Sequence, residues 1–123
     1  MAGKKASAVP ADKLALYERL LAAVPGLEMK ANFGAGYTSV NGNMFSMISK
    51  HGVVGIRLPA DKRAAFLQRL GGELFRGDPA WPPAKEYVAV PDALLPDTAA
   101  LAPYLAASLK YAEGLKPKPT KKR

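Results

Sequence analysis

The chain has 123 residues, 49% of them hydrophobic, with no cysteine and a formal net charge of +8. That length is one domain with enough apolar content for a small core, and the missing cysteines exclude disulfides and thiolate metal sites. Seven of the eighteen basic residues sit at the two ends, which leaves eleven basic against ten acidic residues between Ala6 and Leu115, a near-neutral body unlike the basic face of a dedicated DNA reader.

Residues 1–11 form a basic N-terminus without the apolar run of a signal peptide. No segment approaches the roughly 20 apolar residues of a membrane helix, so the expected location is cytoplasmic. Asp12 to Val24 reads as a helix, because Leu14, Tyr17, Leu20, Leu21 and Val24 recur at helical spacing. Asp12 is its candidate N-cap and Pro25-Gly26 its stop.

The next stretch, NFGAGYTSVNGNMFSMI (Asn32 to Ile48), centres on Asn41-Gly42 between apolar flanks, a strong hairpin signal. One strand is expected to end near Val40 and the next to begin near Met44. A turn at Lys50-His51-Gly52 leads to Val53–Leu58, where Val54, Ile56 and Leu58 share one face and Gly55 and Arg57 the other. These runs predict a three-stranded antiparallel meander.

Pro59 opens a second helix with Phe66, Leu67 and Leu70 on its apolar side, and Gly71-Gly72 ends it. Glu73-Leu74-Phe75 reads as a short strand. Arg76 to Ala84, with three prolines and one glycine, reads as a loop that carries Trp81. Glu86 to Val90 is a further strand, stopped by Pro91. The last helix spans Asp97 to Leu115, with Leu101, Leu105, Ser108, Ala112 and Leu115 on one stripe. Pro103 requires either that this helix starts there or that it kinks there. The tail LKPKPTKKR alternates proline and lysine and is expected to be extended. The fold class is therefore α+β: a mostly antiparallel sheet, the meander plus one or two strands, with helices on one face. The domain proper covers residues 12–115, and residues 116–123 are a basic tail.

Chemistry-bearing patterns are sparse. His51 is the sole histidine and falls in a turn, where it is more often exposed than catalytic; no second His or Cys could join it on a metal. The acidic residues are spread singly. Gly34 and Gly36 invite a nucleotide reading, but Ser39 stands where a third glycine would be and a strand follows instead of a helix. No catalytic residue, metal or cofactor is assigned. Phe33, Tyr37 and Phe45 are candidates either for the core or for base stacking. Arg57 is a candidate anion contact. Trp81 caps a core edge or marks a binding lip. Lys118, Lys121, Lys122 and Arg123 are candidates for a weak contact with a nucleic-acid backbone. A small-ligand pocket would need Trp81, Arg57 and His51 to converge.

With these residues laid out, the chain resembles the TfoX N-terminal domain family (TfoX/Sxy). Lys30-Ala31-Asn32-Phe33-Gly34 is similar to that family's basic-Met-Phe-Gly entry. Val40-Asn41-Gly42-Asn43-Met44-Phe45 is close to its hairpin, Val54–Pro59 followed by a helix to its strand and helix, and Lys85–Pro91 to its strand before the last helix. A Lys-Pro ending resembles one branch of the family. The match covers about residues 12 to 119. It implies an α+β domain without known catalytic residues and a link to transcriptional regulation of DNA uptake. The expected function is a non-enzymatic regulatory or interaction module that works through protein contacts, with the transcription machinery as the candidate partner. The alternatives are a nucleic-acid binder using sheet aromatics and basic tails, or a small-ligand-binding domain. A homodimer is expected if the meander leaves a free sheet edge.

Overall fold

A computed structural model describes residues 9–115 apart from 28, 33, 34, 50, 77–81 and 83. The first helix, α1 (Ala11–Ala22), begins one residue before the expected start. Pro10 stands at the N-cap, with no side-chain cap bond. Asp12 lies inside the first turn instead, where its charge favours the helix dipole. The apolar face is as read: Tyr17, Leu20, Leu21 and Val24 are buried.

Three strands follow: β1 (Lys30–Asn32), β2 (Ala35–Val40) and β3 (Asn43–Ile48). The first was not expected. Three residues of the sequence Lys-Ala-Asn carry no apolar alternation, and an edge strand needs only one neighbour to pair with. The meander thus has four strands, closed by β4 (Val54–Arg57), which pairs antiparallel with β3. Asn41 (φ 54) and Gly42 (φ 79) both have positive φ, the conformation of the two-residue hairpin turn that suits twisted strands. The next turn closes through Gly52 N–H donating to the Ser49 carbonyl at 2.9 Å.

After Leu58 the chain enters α2 (Ala60–Leu70), whose N-cap is Pro59. Gly71 and Gly72, with φ of 82 and 95, end the helix and reverse the chain. Two short strands, β5 (Glu73–Leu74) and β6 (Tyr87–Ala89), then complete an antiparallel sheet in the order β1-β2-β3-β4-β6-β5. The last helix, α3 (Thr98–Glu113), is capped by the Asp97 side chain, which accepts from Ala100 N–H. Pro103 lies inside it, so the helix does not begin at the proline. The lost donor falls opposite the carbonyl of Ala99, an exposed residue that water can reach.

All three helices bury their apolar stripes into one cluster with the sheet: Tyr17, Leu20 and Leu21 from α1, Phe66 from α2, and Leu101, Leu105 and Ala112 from α3, against Ile48, Val54, Ile56 and Val88. The helices therefore cover one sheet face. Three hydroxyls are sealed inside that layer. Tyr17 Oη lies 2.7 Å from Ser46 Oγ, which lies 2.5 Å from Thr38 Oγ1. Each polar group has a partner, the condition under which burial of hydroxyls is tolerated.

Candidate functional site

Cross-strand register defines the other sheet face. Side chains alternate along each strand, and directly paired residues share a face. One row runs across all six strands: Lys30, Tyr37, Met47, Gly55, Ala89 and Glu73. It is the row opposite the buried one formed by Thr38, Ser46, Ile56 and Val88. Tyr37, Met47 and Ala89 are half-buried, while Lys30 and Glu73 are exposed. Gly55 was expected on the less apolar face and is there, but it is not open. Phe75, 2% exposed, lies across it so closely that an added Cβ would meet the ring at 2.7 Å.

At the end of this face, where β4 ends and β6 begins, Arg57 organises a polar-aromatic cluster. Its Nε donates to Glu86 Oε1 at 2.7 Å and its Nη1 to the Met44 carbonyl at 3.2 Å. The Tyr87 hydroxyl donates to that same carbonyl at 2.9 Å, and the Tyr111 hydroxyl to Glu86 Oε2 at 3.5 Å. The guanidinium carbon sits 6.0 Å from the Tyr87 ring centre and 5.9 Å from that of Tyr111, so two tyrosines flank the charge. Burial pushes the Tyr87 phenol up to about 12, and the neighbouring Arg57 offsets only part of that shift. The expected anion contact is thus already engaged by a carboxylate of the same chain. The cluster joins β3, β4, the turn before β6, and α3, and it fixes how the last helix meets the sheet.

The other residues singled out from the sequence disperse. Phe45 is 1% exposed in the core, so it is not a stacking surface. Its burial next to the equally buried Ser46 breaks strand alternation, and a bulge explains it: Thr38 pairs with Ser46 but Ser39 pairs with Met44, which leaves Phe45 without a partner of its own. His51 lies in the turn that precedes β4, and Arg57 at the far end of that strand. His51 instead lines a cavity of about 180 Å³ with Glu73, Leu74 and Arg76. The pocket that needed His51 beside Arg57 does not form. Trp81, Phe33, Lys118, Lys121, Lys122 and Arg123 lie outside the described residues. Among the described residues no group of three metal-ligating side chains gathers, and no helix is long and apolar enough to cross a membrane. The two sheet edges are strands of three and two residues, which offer few backbone groups for sheet extension between copies.

Glu86, Tyr87 and Tyr111 did not stand out as site residues. Glu86 lies 29 residues after Arg57 and Tyr111 a further 25 after Glu86, so no local spacing encodes the cluster. Compared with known proteins, the chain matches no family model and no curated protein.

Proposed function

We propose that the chain is a non-enzymatic, cytoplasmic interaction module of the TfoX N-terminal type, regulatory in role and acting through protein contacts. The observation that carries this reading is the sheet face away from the helices. It presents Tyr37 and Met47 half-exposed beside Lys30, and among the described residues no charged row that would track a phosphate backbone. Half-buried aromatic and methionine side chains are the residue types that anchor protein interfaces. The order of motifs supports the family reading: Asn41-Gly42 at a hairpin, Val54–Arg57 on a strand before a helix, and Tyr87 on the strand before the last helix. A link to transcription of DNA-uptake genes, with the transcription machinery as partner, is part of that family reading.

The test is affinity capture with wild-type protein and with Tyr37→Ala and Met47→Glu. The expected result is a defined protein retained by wild type and lost from both variants, with unchanged circular dichroism. Tight, sequence-dependent retention of duplex DNA at physiological salt would overturn the protein-contact reading. Removal of residues 116–123 should abolish whatever weak, salt-sensitive nucleic-acid binding the chain has.

A further inference from the structure

On the helical side of the molecule, α2 and α3 leave an open groove of about 390 Å³, lined by Lys62, Ala65, Arg69, Pro103, Tyr104 and Ala107. Lys62, Ala65 and Arg69 stand at i, i+3 and i+7 and so form one stripe of α2. The wall from α3 is apolar, and its one aromatic, Tyr104, is held edge-on against Phe66 with ring centres 5.0 Å apart. The groove thus has an apolar wall on α3 and, on α2, two cations two turns apart with Ala65 between them. No acidic side chain lines it. Asp61 precedes Lys62 and points about 100° away around the helix. From Thr98 to Ala112, α3 carries no carboxylate. Lys62 and Arg69 are exposed, and among the described residues neither forms an ion pair.

We infer that this groove docks an acidic amphipathic helix of a protein partner. Lys62 and Arg69 are separated by two helical turns, a rise of about 10 Å. A helix laid along the groove presents carboxylates at its own i and i+7 positions at that same spacing. Its i+3 and i+4 residues then face the trough, which is the anchor pattern of helix-in-groove recognition. Ala65 and Ala107 keep the floor low enough for a large apolar side chain to enter. Nucleic acid fits less well, because a phosphate chain would lay charge over the apolar floor and the Tyr104 ring is already engaged with Phe66. The charges steer and register the partner, while the floor supplies the contact area. The inference rests on the proposed interaction role, and it adds the site and the chemistry of the partner.

The experiment uses the full chain and a fluorescein-labelled, Ala-based helical peptide with Glu at two positions seven apart and Leu at the third and fourth positions between them. Anisotropy should show micromolar binding by wild type and at least a tenfold loss for Lys62→Glu/Arg69→Glu. A peptide with Lys in place of both Glu residues should recover binding to that double variant. Both substitutions are at exposed sites and leave the fold intact. Equal binding by wild type and the double variant, equal binding of a scrambled peptide, or no recovery by the charge-swapped peptide overturns the inference. So does tighter binding of a single-stranded oligonucleotide, or of phosphatidylserine vesicles, through the same two cations. Tyr37→Ala should leave peptide binding unchanged. Peptide binding lost through Tyr37→Ala but not through the α2 variant overturns this groove while leaving the sheet-face reading standing. Partner capture that ignores Tyr37 and Met47 defeats that reading without touching the peptide result.

Discussion

Ser46 Oγ stands between the Tyr17 and Thr38 hydroxyls. Ser46→Ala would take the shared partner from two buried oxygens at once, whereas Tyr17→Phe leaves Ser46 and Thr38 paired with each other. An unsatisfied buried polar group costs about 1–3 kcal/mol. Ser46→Ala should therefore destabilise more than Tyr17→Phe in urea unfolding, and the reverse order would refute the shared-hydroxyl account. Gly55 offers a second residue-level test. An alanine there places its Cβ against the Phe75 ring, and overpacking of this kind costs about 1–3 kcal/mol. Phe75→Ala should cost less in the Gly55→Ala background than in wild type, because it relieves that clash; strict additivity of the two changes would show that they do not meet. The sequence made Tyr17 legible as a core residue, since it lies on the apolar stripe of α1. It could not show that Phe75 would cover Gly55, because that contact depends on where β5 and β6 meet the sheet.

The helices and hairpin were readable from periodicity and turn residues, since both are local signals. The first strand was not, because its pairing is its only distinguishing property. The Arg57–Glu86 pair was hidden for a related reason: β4 and β6 are neighbours in the sheet although α2 and β5 lie between them in the chain. At this scale Pro103 is the informative position. It removes one hydrogen bond from the interior of α3, and proline in a helix interior costs on the order of 3 kcal/mol relative to alanine. Pro103→Ala should raise the urea midpoint, by an amount trimmed because alanine also frees the unfolded chain. A lowered midpoint would mean that the proline ring packs in α3 in a way that outweighs its missing donor.

For the whole molecule, pH is the most direct probe. Burial raises the phenols of both Tyr17 and Tyr87 above their ordinary value, Tyr87 to about 12. The unfolded chain loses these protons near pH 10 while the folded chain keeps them. The unfolded state then binds fewer protons, so stability must fall with rising pH. Their contribution is intact below about pH 10 and is lost as pH rises from there, for Tyr87 through about 12, at up to ~1.4 kcal/mol per pH unit for each tyrosine. Urea midpoints at pH 8, 10 and 11 should decline accordingly, and Tyr17→Phe should flatten the decline; a level profile would contradict the burial of these phenols. The fold class itself was legible in the order of elements. The site was less so, because a face or groove is a property of register and helix packing and not of any one segment.

The bulge at Phe45 makes β3 a strand with two phases. From Ser46 to Ile48 the odd position faces the open side, yet one residue earlier Phe45 turns into the core. The hairpin tip and the rest of the sheet are thus indexed separately, and the extra residue is the gear between them. Removing a single residue between the turn and Ser46 would leave the chain able to pair while rotating the phenylalanine out onto the open face. Such a shortened chain would trade a core anchor for a sticky surface, so the count of residues in this short arm governs solubility as much as fold.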